Sequence, residues 1–218
     1  MANRLAAHLG PNDYLSVVML GLVVLLWGIF LALFGTKAFR AALFPLVFLL
    51  LLVPIPDLLL DRVTLFLQLG STELTDLLFR ACGTPAFREG FRFTLPGVTI
   101  EIAKECSGIR SSVAMLVTVL LAGHLFLRTP GKQIVLLLAV FPVVVLKNAM
   151  RIVALSLLSV YVNPSFLHGD LHRDGGLLFF ILGLAMIFPL FYWLLKEERK
   201  PQPEGRERVA GPLKTGGC

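Results

Sequence analysis

The sequence predicts an all-α polytopic membrane protein of about five transmembrane helices, with interfacial helices and one extracytoplasmic β-hairpin. Three observations predict it. Of 218 residues, 56% are hydrophobic and mean hydropathy is +0.82, more apolar surface than an ordinary soluble domain carries. Charged residues make up 16% and gather between the apolar runs. Five runs approach the ~20 residues that a helix needs to cross the hydrocarbon. The formal charge of +6 is then a topology signal and not a nucleic-acid footprint, so the expected surroundings are the lipid bilayer and no nucleic acid.

The first run, 14–34, forms span one, with Tyr14 as an interfacial anchor. No small-residue cleavage site follows it, which makes it a retained span rather than a signal peptide. The stretch Gly35-Thr36-Lys37-Ala38-Phe39-Arg40 is a short basic turn. Span two, 41–60, is long enough only if it continues through Pro54 and Pro56, which predicts a kink near its end.

The segment 57–105 is interfacial or extracytoplasmic. Its first part, Asp57–Arg80, mixes Leu58, Leu59, Val63, Phe66, Leu67, Leu74, Leu77 and Leu78 with charges. That mixture fits one or two helices lying at the membrane surface, or an amphipathic helix packed on the bundle. Residues 91–102 alternate with period two on both sides of Pro96-Gly97, the pattern of a β-hairpin. Strand backbone cannot face lipid unpaired, so the hairpin lies outside the hydrocarbon.

Span three covers 109–127. Arg128 to Lys132 is a tight basic turn around Pro130-Gly131. Span four, 133–161, exceeds one bilayer thickness and carries Pro142, so it is kinked or tilted. A polar loop, 163–173, leads to span five, 175–195, which closes on Tyr192 and Trp193. Residues 196–218 are charged and rich in Pro and Gly, the composition of a disordered cytoplasmic tail. The whole of 1–195 reads as one membrane domain.

Cytoplasmic loops carry Lys and Arg. Lys37 and Arg40, Arg128 and Lys132, and the basic tail fall on one side of a five-span chain. The segment 57–105, with seven acids against five bases, falls on the other. This arrangement puts Cys106 at the outer end of span three. Arg151, about 28 Å along span four from Lys132 at 1.5 Å per residue, falls in the outer half.

Glu105-Cys106-Ser107-Gly108-Ile109-Arg110-Ser111 is the stretch around which chemistry is expected. A cysteine at the start of a helix meets unpaired amide groups and the positive end of the helix dipole. Those lower a thiol from about 8.5 toward neutrality and favour the nucleophilic thiolate. The competing reading is a small buried hydrophobe that happens to be Cys. Arg151 is the second signal, because an arginine inside a span usually faces a cavity or a partner. A snorkelling arginine that only orients its helix is the alternative. Asn148 and Lys147 precede Arg151 by three and four residues and share its face. His172 is the third, able to exchange a proton near neutral pH. His168 stands one turn earlier and is a possible substitute base. Gly169 between the two histidines argues against a zincin-type helix, so no metal is expected. His8 and His124 lack polar company. Thiolate, imidazole and guanidinium on one side of the membrane suit acyl transfer.

These residues resemble the exosortase/archaeosortase family of membrane-embedded cysteine transpeptidases. The resemblance runs from about Val53 to Phe180. It rests on E-C-S-G-I-R-S at Glu105–Ser111, N-x-x-R at Asn148–Arg151, and His172 followed by Gly176 and Phe180. It implies Cys106 as nucleophile, Arg151 for the oxyanion or substrate positioning, and His172 as acid and base. Glu105, Ser107, Gly108, Arg110 and Asn148 would support them, with no cofactor. It also implies membrane-anchored substrate proteins with a C-terminal signal: a short motif such as Pro-Glu-Pro, a transmembrane helix and a basic cluster. Cleavage would occur on the outer side of the cell membrane, with transfer to an unknown acceptor. Lys147 is an additional charge beside the motif, and the chain has fewer N-terminal spans than longer bacterial members.

Two other readings make different predictions. A non-catalytic scaffold or small-anion transporter would use Arg151 and Lys147 to line a path and would not need Cys106. A Cys82–Cys106 disulfide outside the membrane would remove the nucleophile. Cys218 ends the tail without an assigned role.

Overall fold

The computed structural model describes residues 10–102, 108–162 and 170–199, with the backbone alone at 170–175. In chain order its elements are α1 (Pro11–Ala41), α2 (Leu43–Phe48) with a 3-10 turn at Leu49–Leu52, α3 (Asp57–Ala81), β1 (Phe87–Glu89), β2 (Arg92–Leu95), β3 (Val98–Glu101), α4 (Ile109–Phe126), α5 (Pro130–Tyr161) and α6 (Asp170–Glu198). Four helices are long and apolar enough to cross a membrane, or five crossings if α2 with its turn and α3, bent by 88°, count as one. The protein is an all-α polytopic membrane protein carrying a small antiparallel sheet. Its described residues fall into two compact units. One contains residues up to Gly70 together with Ile102, and the other Ser71–Glu101 and the chain from Gly108 onward.

In the first unit α1 starts with Pro11 in its opening turn, where the fixed φ of proline suits a helix and its missing N–H is not needed. Leu15, Val18, Leu22, Val24 and Leu25 are all exposed, as expected of a helix that lipid surrounds. The helix breaks at Gly35, whose φ of +74° is left-handed and favours glycine. The chain then doubles back, so that the Phe39 ring centre lies 6.4 Å from those of both Trp27 and Phe30. This reversal is the basic turn that holds Lys37 and Arg40.

The stretch 41–60 is not one helix. Pro54 and Pro56 have no N–H to continue the ladder, and regular structure stops at Leu52. The carbonyls released at this break are covered by α1. Ser16 Oγ donates to Pro54 O at 2.8 Å, and Asn12 Nδ2 donates to Ile55 O at 2.9 Å. Asn12 Nδ2 also reaches Asp57 Oδ1 at 2.8 Å. Asp13 Oδ1 accepts the backbone N–H of Asp57 at 2.8 Å, capping α3 from a different helix. Trp27 Nε1 donates to Leu46 O at 3.0 Å, so α2 runs antiparallel to α1.

Where 57–81 suggested one or two helices, a single continuous helix forms. Its amphipathicity has an unexpected sense. Thr64, Leu67, Gln68, Ser71, Thr72, Thr75 and Phe79 form the buried stripe, while Leu58, Leu59, Phe66, Leu69 and Leu77 are exposed. A helix in water would turn its leucines inward, whereas one bordered by lipid can leave them out and bury small hydroxyls. The helix ends in a Schellman motif. Thr84 N–H bonds to Phe79 O at 3.0 Å and Gly83 N–H to Arg80 O at 3.1 Å, with Gly83 left-handed at φ +67°.

The second unit contains the sheet and the α4–α5–α6 bundle. The hairpin expected at 91–102 is present as β2 and β3, paired from Arg92↔Glu101 to Leu95↔Val98. Pro96 followed by Gly97 at φ +83° is the residue pattern of a type II turn. The structure adds β1, paired antiparallel to β2, which the sequence did not suggest. Phe93, Leu95 and Ile100 are buried while Arg92, Thr94, Thr99 and Glu101 are exposed, so one face of the sheet is packed. Phe93 meets Phe79 of α3 edge to face at 5.6 Å. Arg88 on β1 forks onto Glu73 at 2.9 and 2.6 Å. That contact holds the Glu73 carboxyl below the usual carboxylate range.

Within the bundle α5 packs against both α4 and α6. Met115, Val119 and Gly123 on α4 face inward, as do Leu136, Val140 and Val144 on α5. Gly123 faces Leu136 across this interface, where an added Cβ would make an ordinary contact at 3.7 Å. At one end Glu198 Oε1 accepts from Arg128 N–H (2.9 Å), Thr129 N–H (2.7 Å) and Thr129 Oγ1 (2.8 Å). The last turn of α6 thereby caps the start of α5. The start of α4, the second half of α5 and the start of α6 face the opposite end.

Candidate active site

Gly108 is the N-cap of α4 and is left-handed, with φ +74° and ψ 16°. A side chain there would be strained, and its Cβ would stand 2.9 Å from Oδ1 of Asn148. Glycine is therefore required twice, once for conformation and once for space. Asn148, 1% exposed, packs its carboxamide on that turn and donates from Nδ2 to Ser71 Oγ of α3 at 3.0 Å. The glycine of one motif and the asparagine of the other are thus in contact.

Ser111 and Ser112 turn their hydroxyls back to Gly108 O, at 3.0 and 2.8 Å. Lys147 reaches the same turn. Its aliphatic stem crosses the α6 helix at Gly183, where an added Cβ would meet Lys147 Cδ at 3.0 Å and Met115 Sδ at 3.3 Å. Its ammonium donates to Ser111 Oγ at 2.6 Å. Lys147 is 2% exposed. A lysine placed in a span costs about 2.5–3.5 kcal/mol, and one charge-assisted hydrogen bond returns about 1.5–3 kcal/mol. The Ser111 contact thus offsets a large share of that cost.

Arg151 is half-buried one turn beyond Lys147 and close enough for the two cations to repel. Arg110 is exposed at the start of α4. Cys106, Glu105, Ser107 and His168 lie outside the described residues. His172 is placed by its backbone in the first turn of α6, sharing a helix face with Gly176 and Phe180 at four-residue steps. Met115, Lys147 and Gly183 form one layer of the bundle. From that layer Ser111 and Arg151 each stand about 6 Å away along their helices, and His172 about 16 Å, all toward the same end. Cys82 is exposed and unbridged at the end of α3.

Ser71, which accepts from Asn148, was not anticipated as part of this site, nor was the burial of its neighbours Thr72 and Thr75 on α3. All three are fully buried, and Thr75 Oγ1 has no hydrogen-bond partner among the described residues. Their signal was available in the sequence as Thr64, Gln68, Ser71, Thr72 and Thr75, spaced by three and four. Farther along the bundle an apolar cavity of ≈ 210 Å³ is lined by Val119, Ala122, Leu136, Leu184 and Phe191 among others. Its one hydroxyl, Thr118, is bonded back to Ala114 O at 2.8 Å, so the cavity offers no reactive group.

Comparison with known proteins yields one assignment. No curated protein and no solved structure matches the chain. The family model described as transmembrane exosortase (Exosortase_EpsH) matches residues 2–189, a longer stretch than the Val53–Phe180 over which the motifs were legible. With that match spanning nearly all of the membrane-embedded chain, and with the Gly108 turn seated on Asn148, the protein belongs to the transmembrane exosortase family.

Proposed function

We propose that this exosortase family member is a cysteine-dependent transpeptidase or protease. It cleaves the C-terminal sorting signal of membrane-anchored proteins on the extracytoplasmic side of the cell membrane. The observation that carries this reading is the contact between Gly108 and Asn148, which joins the cysteine motif to the N-x-x-R motif across forty residues of sequence. Cys106 precedes Gly108 by two residues, so the covalent chain keeps its Cα within about 7 Å of that turn.

The chemistry follows from the side chains. His172 takes the Cys106 proton, and the thiolate attacks the scissile carbonyl. The guanidinium of Arg151 stabilises the oxyanion. The C–N bond then breaks, the imidazolium returns its proton to the leaving amine, and a thioester remains on Cys106. An acceptor nucleophile, or water, gives its proton to His172, attacks the thioester and releases the thiolate. The basic turns support the orientation, because Arg128 and Lys132 lie at the end of the bundle opposite Gly108, Asn148 and Arg151. A path for small anions gains no comparable support, since Lys147 is buried with its head on Ser111.

The test is co-expression with a reporter ending in Pro-Glu-Pro, an apolar helix and a basic cluster. Cys106→Ala, Arg151→Ala and His172→Ala are each expected to abolish processing while the proteins still insert. Undiminished processing by Cys106→Ala would overturn the reading.

A further inference from the structure

Lys147 belongs to neither motif, yet it is the most deeply buried cation among the described residues. We propose that Lys147, acting through Ser111, is a positioning residue for the Gly108 turn that opens α4, two residues after Cys106 in the sequence. This rests on the function proposed above and deepens it.

Gly183 on α6 and Met115 on α4 leave a channel that the stem of Lys147 fills. The channel fixes where the ammonium emerges, 2.6 Å from Ser111 Oγ. With the ammonium donating, the Ser111 hydroxyl sends its own hydrogen to Gly108 O, 3.0 Å away. A short relay therefore runs from Lys147 through Ser111 to the carbonyl of Gly108. On the other side Asn148 abuts Gly108, so neighbouring residues of α5 hold both flanks of one turn. Two residues upstream in the sequence is Cys106, the nucleophile of the function proposed above.

The experiment uses full-length protein in membranes, with Cys82→Ser and Cys218→Ser so that Cys106 is the single thiol. Two rates are measured: processing of the reporter described above, and alkylation of Cys106 by a maleimide at fixed pH. Lys147→Met keeps the stem and removes the charge. Ser111→Ala removes the relay and leaves the lysine. Ser111→Thr keeps a hydroxyl. Both Lys147→Met and Ser111→Ala are expected to slow processing about tenfold or more, as misplacement of a reacting group does. Lys147→Met and Ser111→Ala are both expected to change the alkylation rate of Cys106 in the same sense, as the loss of one shared relay would. Ser111→Thr is expected to retain the rate within about twofold on the same scale.

Wild-type processing by either Lys147→Met or Ser111→Ala would overturn the proposal, as would a Ser111→Thr protein as slow as Ser111→Ala. If Lys147→Met fails to insert, Ser111→Ala and its threonine counterpart decide alone. Failure of the underlying function is separately visible, because Cys106→Ala would then process normally.

Discussion

The Cα of Gly108 and the carboxamide of Asn148 are in direct contact, so close that a Cβ on residue 108 would lie 2.9 Å from Asn148 Oδ1. One residue begins α4 and the other sits inside α5. Their contact fixes how the start of α4 meets the polar face of α5, and it makes the glycine irreplaceable for two separate reasons.

Gly108→Ala therefore carries a backbone penalty and a steric one. A non-glycine residue held left-handed costs on the order of 1–2 kcal/mol, and the overlap with Asn148 adds to it. The expected outcome is loss of reporter processing and a lowered melting temperature in detergent. Gly108→Ala combined with Asn148→Ala removes the overlap but not the strain, so it should regain part of the stability. A Gly108→Ala protein as stable as wild type would show that the turn adopts another geometry.

The break at Val53–Pro56 is held by side chains of α1. Replacing Asn12 with Leu strands Ile55 O and one Asp57 oxygen, and Ser16→Ala strands Pro54 O. These groups are half-buried, so each lost partner costs about 1 kcal/mol, the lower end for an unsatisfied group. Denaturant titration should show Asn12→Leu as the more destabilising change, since it removes two bonds. Equal stability of all three proteins would mean that water already reaches these carbonyls.

The fork from Arg88 to Glu73 ties the sheet to α3 and is sensitive to acid. Its carboxylate titrates below the usual carboxylate range because Arg88 stabilises the charged form. A depressed pKa contributes stability that is present above the unfolded value, about 4.3, and is lost as pH falls through the folded value. Glu73 is exposed, so the effect is local. Hydrogen exchange across Phe87–Glu101 should quicken in acid in the wild type, while Glu73→Gln should exchange faster at neutral pH and respond less to acid. Identical exchange in the two proteins at neutral pH would show that the ion pair does not hold the sheet.

The sequence by itself determined the class, the main spans and the hairpin turn. These follow from sums and periods over short windows: apolar length, basic clusters, period-two alternation around Pro96-Gly97. It also predicted a kink near Pro54 and Pro56, because proline lacks the N–H that a helix needs; the structure has a full break there, after Leu52. The three motif segments were legible for the same local reason.

Only the tertiary structure decided what those segments touch. Lys147 and Ser111 are 36 residues apart, and Asn148 and Ser71 are 77 apart, so no window contains either pair. The face of α3 was misleading for a physical reason. Amphipathic patterns are ordinarily read with water outside, whereas next to lipid the exposed face can be leucine and the buried one serine and threonine. The third strand was hidden because Phe87-Arg88-Glu89 is too short to show a period and is held by pairing with β2 and by the Arg88 contact. Hydropathy is a property of single residues added along the chain. The site depends on where hydrogen bonds and close packing join distant ones.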